Sequence, residues 1–365
     1  MLKDCKGPFK ILVVNPGSTS TKLGLFENEN QVAVKKVQHP ASEIDKFPRI
    51  LDQFPMRRQV MLDFIKEQGL EPKQLSAVVA RGGLMKPIPS GTFHVTAKMV
   101  EDLTEARYGE HASNIGAILA QGFEWDFDTP SFVVDPVVVD EMTDVARLSG
   151  IREIPRRTAW HALNVMAVVR QVCTREKWDF RQESFVVAHL GGGITVSAIQ
   201  KGRCVDVSNG LEAGPYTPER AGALPTLELV KMCFSGKYTH AEMKKLLVGK
   251  GGLVNYLGTS DLMEVENRMA QGDDFVKLVF RGMAYQIAKE IGSYHVVLRG
   301  KARGIILTGG GAKCPELVSQ VREQVEYLGP VIVVPGEDEL AALAMGGLRV
   351  LRGEEKSIDY DSLPQ

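Results

Sequence analysis

The chain has 365 residues, with 44 Lys plus Arg against 45 Asp plus Glu for a net charge of -1, and 44% hydrophobic and 24% charged residues. That length supports two domains with sizeable cores, and that balance excludes fibrous, disordered and coiled-coil chains and any overall attraction to nucleic acid or an anionic membrane. The five cysteines (Cys5, Cys173, Cys204, Cys233, Cys314) are odd in number and never form a C-x-x-C pair, which argues against a disulfide framework and a zinc site.

The first apolar run, Phe9–Val14, is broken by Lys10 and stops at Asn15-Pro16. It is too short for a signal peptide or a membrane span, so a cytoplasmic protein is expected. Runs rich in Val and Ile then alternate with longer amphipathic stretches, the rhythm of an α/β protein. Lys10–Val14, Thr21–Phe26 and Gln31–Gln38 predict three consecutive strands joined by tight turns, a β-meander. Arg57–Glu67 predicts a helix, Leu75–Ala80 a strand, Thr96–Tyr108 and Ser113–Gly122 helices, and Ser131–Val134 a buried strand. No linker-like segment occurs, so the boundary between domains is expected in a short stretch such as Asp135–Arg156.

A helix from Arg157 to about Arg175 leads into a second predicted meander, Phe185–His189, Thr195–Gln200 and Gly202–Val207. Helical stretches follow near Thr226–Ser235 and Thr239–Leu247, then a capping-box start at Asp261 with Glu264 and a long helix from Asp274 to Leu298. Strand Gly304–Leu307, helix Pro315–Glu326, strand Val331–Val334 and a helix from Glu337 complete the pattern, and the polar tail beyond Gly353 is expected to fray. A shift of 174 residues lays ILVVNPGSTSTKLGLFEN on FVVAHLGGGITVSAIQKG without a gap, Gly17 meeting Gly191. The chain therefore reads as two related halves, although short strings of this kind also recur by chance.

Three glycine turns each follow a predicted strand: Asn15-Pro16-Gly17-Ser18-Thr19-Ser20, Gly191-Gly192-Gly193 and Thr308-Gly309-Gly310-Gly311-Ala312. Glycine lets backbone N–H groups approach an anion closely, Ser18 and Ser20 add hydroxyl donors, and Lys22 adds charge, so such turns suit phosphates. Each taken alone is equally a plain tight turn. Neither the G-x-x-x-x-G-K-[ST] string nor a complete G-x-G-x-x-G occurs, so the P-loop and dinucleotide folds are excluded.

The strings VVNPGSTSTKLGLF, ARGGL (Ala80–Leu84), AHLGGG (Ala188–Gly193), GPYTPERAGALP (Gly214–Pro225) and ILTGGGA (Ile306–Ala312) resemble the butyrate kinases of the acetokinase family. That family belongs to the superfamily of sugar kinases, Hsp70 and actin. The resemblance runs from Lys10 to about Gly347. It implies two duplicated actin-like (ribonuclease H-like) α/β domains, each a five-stranded mixed sheet with a β-meander flanked by helices, with ATP and Mg²⁺ in the cleft between them. The N-terminal domain would span 1–140, completed by the C-terminal helix at 340–365, and a C-terminal nucleotide-binding domain would span 141–339. Asn15, Ser18, Ser20 and Lys22 would belong to the first phosphate loop, and His189, Gly191, Gly192 and Gly193 to the second. Gly309, Gly310, Gly311 and Ala312 would form the wall beside the adenosine.

By the same resemblance Arg81 would be the substrate arginine, His161 would bind the transferring phosphoryl group, and Arg220 would be the transition-state arginine. Asp135 would orient Mg²⁺ or the active-site arginine, and His111 would lie close to the phosphoryl site. In Glu337-Asp338-Glu339 a carboxylate would help Asn15 hold Mg²⁺, with Asp338 the choice. Against these stand plain readings: a surface ion pair for Arg81, a structural histidine for His161, a loop arginine for Arg220, a turn opener for Asp135 and a helix cap for His111. Acetate kinases carry a longer H-R-V-x-H-G-G string where this chain has ARGGL, a departure that favours a different acyl substrate.

The expected reaction is reversible phosphoryl transfer from ATP to butyrate, giving butyryl phosphate and ADP. A carboxylate is already ionised at neutral pH and needs no general base, only cancellation of charge repulsion. Isobutyrate, acetate and propionate are alternative acceptors. A non-catalytic switch of the actin and Hsp70 type is a further alternative, and a homodimer or higher homo-oligomer is implied.

Overall fold

In the computed structural model, which describes residues 7–364, the Val- and Leu-rich run at the start becomes β1 (Lys10–Pro16). It pairs antiparallel with β2 (Ser20–Glu27), and β2 with β3 (Asn30–Gln38). A short helix α1 (Ala41–Ile44) precedes α2 (Phe54–Glu67), whose inner stripe Arg57, Met61, Phe64 and Ile65 faces the core. Then come β4 (Ala77–Ala80), β5 (Thr92–His94), α3 (Ala97–Thr104), α4 (Asn114–Phe127) and β6 (Ser131–Val134).

After the short α5 (Asp144–Arg147), α6 (Ala162–Glu176) leads into a second meander, β7 (Ser184–Leu190), β8 (Ile194–Gln200) and β9 (Arg203–Val207). Helices α7 (Thr226–Cys233), α8 (His240–Leu247), α9 (Gly252–Leu257), α10 (Leu262–Ala270) and α11 (Asp274–Val297) follow. The strand β10 (Gly304–Gly309), helix α12 (Pro315–Val325) and strand β11 (Val331–Pro335) close this part, and α13 (Glu339–Leu351) and β12 (Ile358–Asp359) end the chain. By internal contacts the chain divides into 1–140 with 338–365, and 141–337.

The first unit holds a seven-stranded sheet in the order β12-β5-β6-β4-β1-β2-β3, and the second a five-stranded sheet in the order β11-β10-β7-β8-β9. Strands β3-β2-β1-β4-β6 repeat the directions of β9-β8-β7-β10-β11: two antiparallel pairs, then two parallel ones. The five strands expected per domain are thus present in both. The first sheet exceeds them because β5 turns back antiparallel on β6 and β12 pairs parallel with β5.

The repeat does not run gapless through its turn. Pro16 pairs with Thr21 across four loop residues, whereas Leu190 pairs with Ile194 across three. The 174-residue offset therefore holds for β1 and β7 only, and β8 lies one residue nearer; the gapless match would turn every β8 side chain to the wrong face.

Other expectations are corrected. The helix expected from Arg157 begins only at Ala162, because the carbonyls of Arg157 and Ala159 accept from Asn209 Nδ2 (3.2 Å) and Gly210 N (2.9 Å) instead of from the next turn. Asp261 caps α10 through Met263 N (2.8 Å), but its own N–H goes to Thr259 Oγ1 (3.2 Å), so Glu264 does not complete a capping box. The tail does not fray: Tyr360 is fully buried and its hydroxyl donates to Asp102 Oδ2 at 2.9 Å. Cys173, Cys204, Cys233 and Cys314 are free thiols, and Cys5 lies outside the described residues. Among the described residues no helix is long and apolar enough to cross a membrane.

In the first core, α4 contributes Ile115, Leu119 and Phe123 against Leu12, Val14 and Val78 of the sheet. The opposite face is covered by α13, which lies so close that a Cβ on Gly346 would overlap Val134 and one on Gly347 would overlap Val79. In the second unit α11 presents Phe280, Met283, Ile287 and Ile291, spaced three and four apart, to the same core as Val186, Ala188 and Val196.

Candidate active site

In the first unit, the turn between β1 and β2 and the segment after β4 lie at neighbouring strand ends, since Val14 pairs with Ala80. Asn15, the penultimate residue of β1, is buried and donates from Nδ2 to Glu339 Oε2 at 2.6 Å. Arg81 follows β4 directly, and its guanidinium pairs with Oε1 of the same Glu339 carboxylate. Ser18 is exposed in the turn, and Ser20 and Lys22 stand half-buried on β2.

Gly82 and Gly83 are required by close approach. A Cβ on Gly82 would collide with Val133 and Pro136, and one on Gly83 with the backbone of Asn114 at the start of α4. Asn114 fixes that approach by accepting from Leu84 N (2.9 Å) and donating to Gly109 O (2.9 Å). Asp135 sits just past β6 at φ 37°, a left-handed conformation sparsely populated outside glycine. Its Oδ1 accepts from Ser90 Oγ (2.6 Å) and Gly91 N (2.7 Å).

His111 precedes α4, and its Nδ1 accepts from Ser113 N at 3.2 Å, which leaves the ring proton on Nε2. Desolvation of the ring, and then the Arg81 charge, hold it below the usual imidazole value. A base whose pKa is depressed by folding contributes its full stability above about pH 6.5 and loses it as the pH falls toward the folded value, because the unfolded chain binds the proton first. In an NMR titration the His111 midpoint is expected below 6.5, and Arg81→Gln is expected to move it upward. A midpoint unmoved by Arg81→Gln would contradict this coupling.

The acidic strap into α13 separates its three carboxylates. Glu337 Oε1 lies 2.8 Å from His189 Nε2, Asp338 Oδ1 caps α13 through Ala341 N (2.9 Å), and Glu339 holds Asn15 and Arg81.

In the second unit, His189 on β7 is fully buried, with Nδ1 2.8 Å from Asn164 Oδ1. Its ring stacks on that of His161, the N-terminal cap of α6, at 3.8 Å between centroids and 10° between planes. His161 Nδ1 is in turn 3.0 Å from Thr195 Oγ1 on β8. The one-residue-shorter turn is what brings Thr195 opposite His189 in the ladder.

The Gly191–Gly193 turn is tied to the segment carrying Arg220. Thr217 Oγ1 donates to Gly192 O (2.6 Å) and accepts from Arg220 N (3.0 Å), and Arg220 Nη1 donates to Gly210 O (2.6 Å). The guanidinium lies so close over Gly193 that a Cβ there would overlap it. Burial lowers the pKa of Arg220 somewhat, partly offset by Glu219. At the third turn, Gly309 adopts φ 88° hard against the Leu190 backbone, where no Cβ fits, and Gly310–Lys313 form a short 3-10 turn with Ala312 buried. Gly309 and Gly336 exchange backbone bonds of 2.8 and 3.2 Å, which hold this turn beside the acidic strap.

Sequence reasoning missed Arg57, Asn164, Thr195 and Thr217. Arg57 had a readable signal: it stands on the apolar stripe of α2, four residues before Met61 and four after Gln53, where a charge is out of place. Its guanidinium is fully buried, and burial pulls its pKa down to about 10.

A two-sheet α/β architecture with a repeated meander and glycine turns at the strand ends is the fold of the acetate and ROK kinases. Porphyromonas gingivalis acetate kinase superposes with a TM-score of 0.75 at 18% identity, covering 94% of this chain and 100% of that one. A propionate kinase from Francisella tularensis gives 0.71 at 19%, covering 93% and 98%, and a ROK family protein from Streptococcus pneumoniae 0.53 at 12%, covering 95% and 100%. Residues 152–344 match the model of the acetokinase family. The chain belongs to the acetokinase family: it is an ATP-dependent kinase of short-chain carboxylates.

Proposed function

We propose that this kinase phosphorylates a four-carbon carboxylate, butyrate or isobutyrate, giving the acyl phosphate and ADP. The observation that carries the reading is Arg81, a guanidinium at a strand end that holds a carboxylate, that of Glu339. The same fork suits a substrate carboxylate. The acyl length rests on the ARGGL string, where acetate kinases have H-R-V-x-H-G-G.

One carboxylate oxygen attacks the γ-phosphorus, a P–O bond forms, the bond to the bridging oxygen of ADP breaks, and no proton moves. Arg81 orients the acceptor, while His161 and Arg220 draw off charge from the transferring group. In the first unit the backbone of Gly17–Ser20, with Lys22, offers donors suited to phosphate; in the second, the Gly191–Gly193 backbone does the same, and Gly309–Ala312 suit the adenosine. Asp135 braces the segment after β6.

The family implies Mg²⁺. Among the described residues no three His, Cys, Asp or Glu side chains cluster as a metal cage, which fits an ion that takes most of its ligands from phosphates and water. Asn15 Oδ1 and the carboxylates of Asp338 and Glu339 are the oxygens that would hold it. When bound, it neutralises charge on the phosphates.

Hydroxylamine trapping of acyl phosphate from Mg·ATP with acetate, propionate, butyrate, isobutyrate and isovalerate tests the reading. Highest kcat/KM with butyrate or isobutyrate is expected. A preference for acetate or propionate would overturn the acyl assignment, and no acyl phosphate despite nucleotide binding would favour the switch.

A further inference from the structure

Arg57 places a full positive charge inside the first unit, and among the described residues every hydrogen-bond partner of its guanidinium is a neutral oxygen. Nε and Nη2 donate to Gln53 Oε1 (3.0 and 2.8 Å), and Nη1 donates to Ser20 O and Thr21 Oγ1 (both 2.9 Å). Nη2 also donates to Gly17 O (2.9 Å) and, more weakly, to Ser18 O (3.4 Å). A buried guanidinium ordinarily meets a carboxylate, and an uncompensated one is costly to desolvate. Among the described residues no carboxylate pairs with it, and the charge lies directly behind the loop between β1 and β2.

The bonds also set which way the loop's peptides face. In a trans peptide the carbonyl of one residue and the N–H of the next point in opposite directions. Drawing Gly17 O and Ser18 O inward turns the N–H groups of Ser18 and Thr19 outward. Among the described residues neither of these finds an acceptor. The remaining loop carbonyl, Thr19 O, accepts from His39 N at 2.8 Å, which continues the β2–β3 ladder. His39 Nε2 is 2.8 Å from Thr21 Oγ1. The loop is thus held by its carbonyls and by the Gly17 N–H, which donates to Ser20 O at 2.8 Å, and it shows the N–H groups of Ser18 and Thr19.

We propose that Arg57 is a positioning residue for nucleotide binding: from behind the Gly17–Ser20 loop it aims the Ser18 and Thr19 amides at the polyphosphate and supplies the buried positive charge that the bound anion compensates. It touches no substrate atom. The inference rests on the reading that this loop holds phosphate, and it names what fixes the loop and why the charge meets no carboxylate among the described residues.

The test compares wild type, Arg57→Lys and Arg57→Met by calorimetric titration with Mg·ATP, Mg·tripolyphosphate and adenosine, with circular dichroism to confirm folding. Arg57→Lys keeps the charge but cannot donate to Gly17 O, Ser20 O and Gln53 together. It is expected to weaken Mg·ATP and Mg·tripolyphosphate binding about 10-fold, and Arg57→Met about 100-fold, with adenosine affinity unchanged in both. In the lysine variant, amide exchange at Ser18 and Thr19 is expected to lose the slowing that Mg·tripolyphosphate gives in wild type. Folded Arg57→Lys protein that binds Mg·ATP within twofold of wild type would overturn the proposal, and it decides the matter even if Arg57→Met fails to fold. Wild type showing no slowing at Ser18 and Thr19 with saturating Mg·ATP would instead overturn the phosphate-loop reading.

Discussion

Arg220→Ala is expected to lower kcat about 10³-fold in the hydroxylamine assay while the KM for ATP changes less than threefold. In the proposed role, the Arg220 guanidinium would act on charge that develops on the transferring phosphoryl group in the transition state, and removing such a donor costs on the order of 10²–10⁵ in rate. The structure supplies an independent way to move the same group. A Cβ at Gly193 would overlap the Arg220 guanidinium, and the end of a flexible side chain yields where a backbone would not. Gly193→Ala should therefore fold normally yet lose about 10-fold or more in kcat, because Nη1 cannot keep its 2.6 Å bond to Gly210 O. Full activity in Gly193→Ala, with a crystal structure showing Arg220 displaced, would mean that the position of this arginine does not matter to the transfer.

Tyr360→Ala is expected to destabilise the first unit by about 3–5 kcal/mol, the range for emptying a large aromatic site. Tyr360 has no exposed surface, donates to Asp102 Oδ2, and lies under Lys86 Nζ at 4.5 Å from the ring centroid. Tyr360→Phe keeps the ring and removes the hydrogen bond; its cost should be about 1–2 kcal/mol. Urea unfolding at pH 7 measures both, and a loss below about 1 kcal/mol for the alanine variant would show that the ring is not integral to the core.

These two sites mark where sequence reading worked and where it stopped. Both meanders, the three glycine turns and the strands that precede them were legible, because alternating apolar runs and glycine punctuation are local signals. Arg81, His161, His189 and Glu339 could be singled out by motif, but not the pairings between them. The carboxylate of Glu339 reaches Arg81 across 258 residues, and the stacking of His189 on His161 depends on how β7 packs beside the start of α6. The tail read as polar and loose because one tyrosine among acidic residues leaves no periodic pattern, yet a two-residue strand was enough to bury it. Thr92–His94 escaped for the same reason. The gapless repeat misled at its turn, since identical strands hide a missing loop residue that only the ladder register reveals.

The division of the chain has a consequence for its biosynthesis. The unit spanning 141–337 is continuous and can close as soon as it leaves the ribosome, but the other unit begins first and finishes last. After Asp140 emerges, about 200 further residues must be made before α13 can cover the sheet and β12 can pair with β5, roughly 10–40 s at ordinary elongation rates. Through that interval Val79 and Val134, which Gly346 and Gly347 later approach, stay uncovered on a nascent sheet. Of the two units, the one whose synthesis begins earlier is thus the one more in need of a chaperone.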